Sequence, residues 1–346
     1  DVDWSPDSRS LLFTAQSQGV WRLWRAMAGR PNPRWEPVEA SEEVSQLSIA
    51  RTRGILVSSS GHPDPSIWRG KLAGDGTAVT WGRFIDSKAD DIFPGFSRDG
   101  RRVVFLSTRT GARQLWVKEE TGEERELTRA PQRPSYASWT TAEDLVYSDL
   151  RERRMYLFRA GSPSPAPIPL VGTVGSHTTV SPDGQTVYWV KRFYIYQAPA
   201  RGGSATLLTD EGGFPLRITG DGQWIYYSRH RFSNEIWRVH TKTRRAERVS
   251  DRLRPGCWAC WAANATDLVY VAAGSAREPA TLERKNLATG VVRSLGELPG
   301  RLPELGAPMV ALSPDGRTVL VGIGEPGQGA LRVYTQLPWM AAGGRN

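Results

Sequence analysis

The sequence predicts an all-β fold built by copying one small sheet around an axis, and three observations predict it. A turn of the type Ser-Pro-Asp-Gly, followed by a short apolar run, recurs along the chain. The copies are evenly spaced and leave no long stretch unclaimed. Composition agrees: Gly (35) and Pro (24) together make about 17% of the 346 residues, against roughly 12% in ordinary proteins. With 14 Trp, 10 Tyr and 9 Phe, such a chain favours short strands and many turns over long helices.

The elements follow in order. Ser97-Arg98-Asp99-Gly100 leads to Val103-Val104-Phe105, Ser181-Pro182-Asp183-Gly184 to Val187-Tyr188-Trp189, Thr219-Gly220-Asp221-Gly222 to Ile225-Tyr226-Tyr227, and Ser313-Pro314-Asp315-Gly316 to Val319-Leu320-Val321. Ser5-Pro6-Asp7 precedes Leu11-Leu12-Phe13 in the same way, and weaker copies begin at Leu47, Trp139 and Trp261. The residues before the turns are therefore 4, 47, 96, 139, 180, 218, 261 and 312, spaced 38 to 51 apart. In each turn Pro presets φ, Asp bonds nearby backbone, and Gly takes a positive φ. The runs that follow are β-branched and aromatic, hence strands.

An apolar-aromatic pair marks a third strand in seven units, among them Ile67-Trp68, Leu115-Trp116, Ile236-Trp237 and Val333-Tyr334, and a more polar fourth strand follows. Four antiparallel strands per unit, repeated radially, make a β-propeller of eight four-stranded blades, with seven as the alternative if the second unit is an irregular insertion. Residues 1–336 are expected to form this single domain and 337–346 a tail. The eighth unit has no fourth strand of its own, so the ring is expected to close with a strand from the edge of the chain or from upstream of Asp1.

Chemistry is sparse. No window approaches 18 consecutive apolar residues, so no membrane span is expected. There is no nucleophile elbow, phosphate loop or dinucleotide fingerprint, and the four histidines (His62, His177, His230, His240) lack metal-ligand spacing. No catalytic residue, cofactor or metal is expected, and the chain reads as a non-enzyme. Cys257-Trp258-Ala259-Cys260 has redox spacing but reads as buried structural thiols, with a disulfide or reactive pair as the alternative, because an innermost strand sends residues three apart to opposite faces.

Two groups of residues are candidates for binding. The first is a basic arc in the loops between second and third strands: Arg109 and Arg113; Arg151, Arg153 and Arg154; Lys191 and Arg192; then Arg229 and Arg231. The plainer reading pairs these with Asp90, Asp91, Asp149, Asp210 or Glu211, and the functional one is a site for an acidic protein or peptide. Nucleic acid is a weaker version of the second reading, since Phe193, Tyr194 and Phe232 beside the loops read as packing residues. The second group lies on innermost strands, where side chains can face a central channel: Phe96, Tyr136, Trp139, His177, Trp258 and Trp261. A small ligand at the channel mouth is the default site there.

The Ser-Pro-Asp-Gly turn, its apolar strand, and Ser107-Thr108-Arg109-Thr110-Gly111 before Gln114-Leu115-Trp116 resemble the WD40-like repeat of TolB-type propellers. Ile236-Trp237-Arg238-Val239 and the unit from Leu312 to Gly316 look most like the C-terminal propellers of bacterial winged-helix regulators. The resemblance implies a recognition or sensing platform, read as part of a bacterial signalling or transcriptional regulator. The alternatives are a TolB-like extracytoplasmic scaffold and an accessory propeller gating a separate hydrolase. It favours an extracytoplasmic place slightly over a cytoplasmic one.

Overall fold

A computed structural model describes the chain apart from residues 1, 6–7, 18–19, 30–33, 43, 51–54, 61–64, 74–78, 88, 141–143, 160–164, 169–174, 231, 275–278, 301, 303–309, 325–329 and 335–346. The expected tail at 337–346 and Arg231 of the basic arc lie outside the described residues. Every regular element among the described residues is a strand, and all sheet pairings are antiparallel. The fold is an all-β propeller fold. The chain divides into two compact units: Pro65–Thr108 with Arg113–Gly324, and Asp1–Asp64 with Arg109–Ala112 and Glu325–Asn346.

The larger unit holds six four-stranded sheets. Sheet I runs Asp91–Phe96, Arg102–Ser107, Gln114–Glu119, Glu124–Glu126, and sheet II runs Pro134–Trp139, Leu145–Asp149, Arg154–Phe158, Ala166–Pro167. Sheet III is Ser176–Val180, Thr186–Lys191, Tyr194–Pro199, Thr206–Thr209, and sheet IV is Phe214–Ile218, Trp224–Ser228, Ile236–His240, Ala246–Ser250. Sheet V is Trp261–Ala263, Asp267–Val271, Thr281–Asn286, Val292–Glu297. Sheet VI joins two distant parts of the chain: Val310–Leu312 and Thr318–Gly324 pair onward with Pro65–Leu72 and Val79–Ile85. The smaller unit has the sheet Val2–Trp4, Ser10–Ser17, Val20–Met27, Trp35–Glu42 and a three-stranded sheet of Val44–Ala50, Ile55–Ser60 and Ala330–Tyr334.

The pairing departs from a simple succession of repeats at one point. The eighth repeat's first two strands take the third and fourth strands of the second repeat, Thr318 opposite Lys71 through Gly324 opposite Pro65. The eighth repeat's own third strand pairs instead with Ile55–Ser60. The larger unit therefore closes with strands of this chain.

Within the larger unit, first strands touch from sheet V through VI, I, II and III to IV. Sheets IV and V are joined where Ser228 Oγ donates to Trp258 O and Trp261 Nε1 donates to Ser228 Oγ. An apolar layer fills each gap between sheets. Val104, Leu115 and Tyr147 pack between I and II; Val146, Val180 and Trp189 between II and III; Val190, Leu216 and Tyr227 between III and IV. Trp261 and Tyr270 centre a larger layer reaching from IV through V to VI, while Ile67, Leu320 and Phe105 join VI to I. Burial of this kind, at about 25 cal/mol per Å² of apolar surface, is what holds a fold without helices.

One end of each first strand carries the repeat turn. In sheet III, Ser181 Oγ donates to Asp183 and accepts the Thr186 amide at 2.8 Å, and Asp183 Oδ1 accepts the Gln185 amide at 2.9 Å. Sheets I and VI repeat the pattern with Ser97, Asp99 and Arg101, and with Ser313, Asp315 and Arg317. The serine hydrogen bond holds each of these aspartates below the usual carboxylate range.

Candidate functional site

The other end of the ring is built differently. In sheets I to IV the first strand carries one extra residue: Ile92 faces Leu106 and Gly95 faces Val104, while Ser176 faces Val190 and Thr179 faces Tyr188. Sheets II and IV have the same irregularity, between Pro134 and Ala137 and between Phe214 and Arg217. Such a bulge re-aims side chains. It holds Phe93 and His177 at φ 57° and 56°, in the left-handed region.

The result is an aromatic cluster at this end. Phe93 lies 4.4 Å from Tyr136, which lies 3.9 Å from His177 (ring centroids). His177 meets Phe214 at 4.9 Å and Trp258 at 5.3 Å, and Trp258 meets Tyr136 at 6.3 Å. Tyr136 belongs to sheet II and Trp258 to the turn that enters sheet V, with III and IV between them, so they meet across the space that the first strands enclose. Ser176 Oγ sits 2.7 Å from His177 Nδ1. Phe193, more than half exposed, carries the cluster to the surface by its 5.4 Å contact with Phe214.

Three of the six channel candidates are in this cluster: Tyr136, His177 and Trp258. The other three pack between sheets. Phe96 borders the layer between VI and I, Trp139 is buried between I and II with its indole on Gly95 O at 3.0 Å, and Trp261 is fully buried in the layer around sheet V. Sequence reading missed Phe93 and Phe214. The signal for Phe93 was positional: Phe93, Tyr136 and His177 each stand three residues before the strand ends Phe96, Trp139 and Val180.

The basic residues of the larger unit separate into two kinds. Arg229 is paired, with its guanidinium on Glu211 and stacked 3.6 Å from the Trp237 ring centroid. Arg151 reaches Pro131 O at 3.4 Å. Arg113, Arg153, Arg154, Lys191 and Arg192 have no carboxylate partner among the described residues, and all but Lys191 are exposed. Three of the acidic groups named as candidate partners, Glu211, Asp149 and Asp91, are engaged elsewhere. Asp149 accepts the amides of Arg133, Arg151 and Glu152, shaping the hairpin of sheet II, and Asp91 accepts from Ser87. Arg109 falls in the other unit.

Arg153, Arg192 and Phe193 have φ of 54°, 53° and 69°. Two-residue hairpins of this shape normally use Asn or Gly, so Arg192-Phe193 is a strained turn displaying a cation and a ring. Leu150 (52% exposed) and Phe232 (78%) stand in the corresponding loops of sheets II and IV.

The cysteine reading is corrected. Cys257 and Cys260 form a disulfide. They lie in a turn before the first strand of sheet V, where the Cys260 amide donates to Cys257 O at 2.8 Å, and the turn brings their Cα atoms to 5.2 Å. A strand would have sent them apart. The closed loop holds Trp258 in the cluster.

Arg217 is a third residue that sequence reading missed. It stands on the first strand of sheet IV opposite Tyr226, and its Nη1 donates to Leu216 O at 3.2 Å. Burial pulls its guanidinium down to about 10, and Tyr136 draws it partly back. The side chain is half-buried. Among the described residues, no three His, Cys, Asp or Glu side chains gather to hold a metal ion, and no helix is long and apolar enough to cross a membrane.

No protein-family model matches the chain, and no curated protein matches it. Solved structures do. A chain of a nidogen/laminin complex aligns with TM-score 0.51 and 10% identity over 66% of this chain and 91% of its own. TolB from Acinetobacter baumannii aligns with TM-score 0.44 and 14% identity over 92% and 79%. A streptogramin B lyase aligns with TM-score 0.48 and 13% identity over 94% and 97%. At these identities the likeness is one of fold alone. It corrects one expectation: with a lyase among the similar propellers, the fold gives no ground for reading the chain as a non-enzyme.

Proposed function

We propose that the mouth of the larger unit binds an acidic segment of a partner protein. The observation that carries this reading is the Arg192-Phe193 hairpin: a strained turn holding an exposed cation and an exposed ring beside the aromatic cluster. Arg153, Arg154 and Lys191 extend the positive surface without carboxylates to neutralise it. Phe193, Leu150 and Phe232 offer apolar anchors among the charges, the mix that protein interfaces use. Cations at such a rim speed and orient docking more than they tighten it. The reading needs no attached regulator domain, and the resemblance to winged-helix regulators finds no support in the structures named above. The Cys257–Cys260 disulfide supports an oxidising, extracytoplasmic compartment.

The test is titration of the protein with a fluorescent poly-glutamate peptide at several salt concentrations. Replacing Arg153, Arg154, Lys191 and Arg192 by Ala should weaken binding roughly tenfold or more at low salt and flatten its salt dependence. Equal affinity and an equal salt slope for the variant would overturn the reading.

A further inference from the structure

We propose that the four-stranded sheet of the smaller unit is a docking face for a second copy of this chain, packed on it sheet against sheet. The face is separate from the mouth of the larger unit and does not depend on it.

The two faces of this sheet fare differently. Pairing sets Phe13 between Val2 and Trp24, and Trp4 opposite Leu11 in the next row, which ends at Trp35. Residues opposite one another on antiparallel strands share a face, and so do residues two apart on one strand. These six side chains therefore lie together, and none is charged. The other face carries Leu12, Leu23 and Val38, which are buried on Val44, Ile49 and Leu56 of the three-stranded sheet. No apolar layer of the described residues takes up the first face in that way. Val2, Trp4 and Trp35 stay 65%, 39% and 64% exposed, and Phe13 meets Trp35 edge to face at 5.4 Å.

The repeat shows what such a face packs on. Trp4, Leu11, Phe13 and Trp24 pair as Phe96, Val103, Phe105 and Trp116 do in sheet I. There Val103 and Phe105 are fully covered, packed with Ile67 and Leu320 of sheet VI. Val187 and Trp189 of sheet III pack likewise on Val146 of sheet II, and Ile225 and Tyr227 of sheet IV on Val190 of sheet III. The cover at these repeat positions is the apolar face of another sheet. An exposed patch of this make-up is an association surface.

A second copy supplies that cover. Identical faces meet about a twofold axis, the commonest way in which chains pair, and sheets packed face to face interdigitate their side chains. Each chain carries a net charge of +9, so two copies repel except where they meet through uncharged surface, and this face is such a surface. Area is sufficient. With about 150–250 Å² for each aromatic side chain, the parts still exposed on the six residues come to roughly 500 Å² per copy. A pair would bury about 1,000 Å², the least that a specific interface needs, so the dimer should be a weak one of micromolar strength.

Sedimentation equilibrium of the full chain tests this. The mass should rise from one chain towards two across the micromolar range. Added salt should strengthen pairing, because it screens the repulsion between two basic chains, whereas salt weakens an acidic ligand at the mouth. Trp35→Lys should weaken the dimer about tenfold or more, since it places a charge at the centre of each apolar contact. Trp35 is mostly exposed, so the urea midpoint of the dilute variant should match that of the dilute wild type. Phe232→Lys removes the exposed ring of the mouth instead and should pair as the wild type does. A wild type that keeps the mass of one chain at every concentration would overturn the proposal and leave the face to a different partner. So would pairing that survives Trp35→Lys unchanged, or pairing that Phe232→Lys abolishes.

Discussion

At one end of the six-sheet ring, the turns of sheets I, III and VI repeat a single hydrogen-bond pattern down to the atom, with Ser97, Ser181 and Ser313 in one role and Asp99, Asp183 and Asp315 in another. At the opposite end no two connections are alike. One is shaped by Asp149 under the backbone, one is a strained Arg192-Phe193 turn, and one is tied by Arg229 to Glu211. The difference teaches where the repeat does its work. The uniform end guides each strand back into its sheet, and any copy of the turn serves. The varied end carries exposed rings and cations that have no carboxylate partner among the described residues, and the proposed docking rests on these.

The two ends should break differently. Gly212, at the varied end, has φ +74°, and a Cβ there would stand 2.4 Å from the Arg229 backbone. Gly184, in the repeat turn of sheet III, has φ +70° and open space around it. Gly212→Ala should cost about 3 kcal/mol or more in urea unfolding, from the clash added to the left-handed backbone. Gly184→Ala should cost only about 1 kcal/mol, the backbone term alone. Equal losses would show that the backbone approach at Gly212 is not real.

Alkali should act on the layers between the two ends. Tyr227 and Tyr270 are fully buried. Burial pushes both phenols up to about 12, helped at Tyr227 by Glu211 and at Tyr270 by its bond to Glu283. An acid whose folded value is raised lends stability that is whole below its unfolded value near 10 and is lost as pH climbs from there towards 12. Unfolding midpoints in urea should therefore hold steady up to about pH 10 and fall above it. Tyr270→Phe should make the fall shallower, and an unchanged pH profile for that variant would remove Tyr270 from the account.

A smaller loss tests the uniform end. Ser181 is buried, accepts the Thr186 amide and donates to Asp183. Ser181→Ala should cost about 1 kcal/mol, since the part-buried Thr186 amide loses its partner. Acid-dependent stability should weaken with it. Asp183 is held low by that serine, so it lends stability above the ordinary carboxylate range that fades as pH falls through its folded value.

Much of the fold was legible in the sequence and less of the site. The repeat turns and the strand that follows each were readable because their residues have a local job. One missing fourth strand was expected, and one sheet has three strands among the described residues, but which strands pair there was not readable. Ile67-Trp68 and Val333-Tyr334 are both apolar-aromatic pairs on third strands, and nothing local says which of them pairs with Thr318–Gly324. The Cys257–Cys260 bond was hidden because the motif sits in a turn where the repeat calls for a strand. At the site, the basic loops were visible as charge, but only the structure separates Arg229, engaged with Glu211, from Arg192, which is not. Arg217 left a trace, a lone cation in the apolar run Phe214-Pro215-Leu216-Arg217-Ile218, but its half-buried place opposite Tyr226 shows only in the structure.

The smallest expected change in stability is also the one that separates the two ends most cleanly. Replacing Arg192 by Asn and Phe193 by Gly installs the residues that a two-residue hairpin with φ of 53° and 69° prefers. The backbone strain is relieved, while the 5.4 Å contact of Phe193 with Phe214 is lost. Phe193 is more than half exposed, so the lost contact is the lesser term, and the variant should gain about 0.5–1 kcal/mol in urea unfolding. At the same time it should bind poly-glutamate more weakly, having lost one cation and the ring beside it. Stability won together with binding lost would mean that the strained turn is retained for its partner. A variant that is more stable and binds as before would make the turn an accident of the hairpin, and the case for the mouth would then rest on Arg153, Arg154 and Lys191 alone.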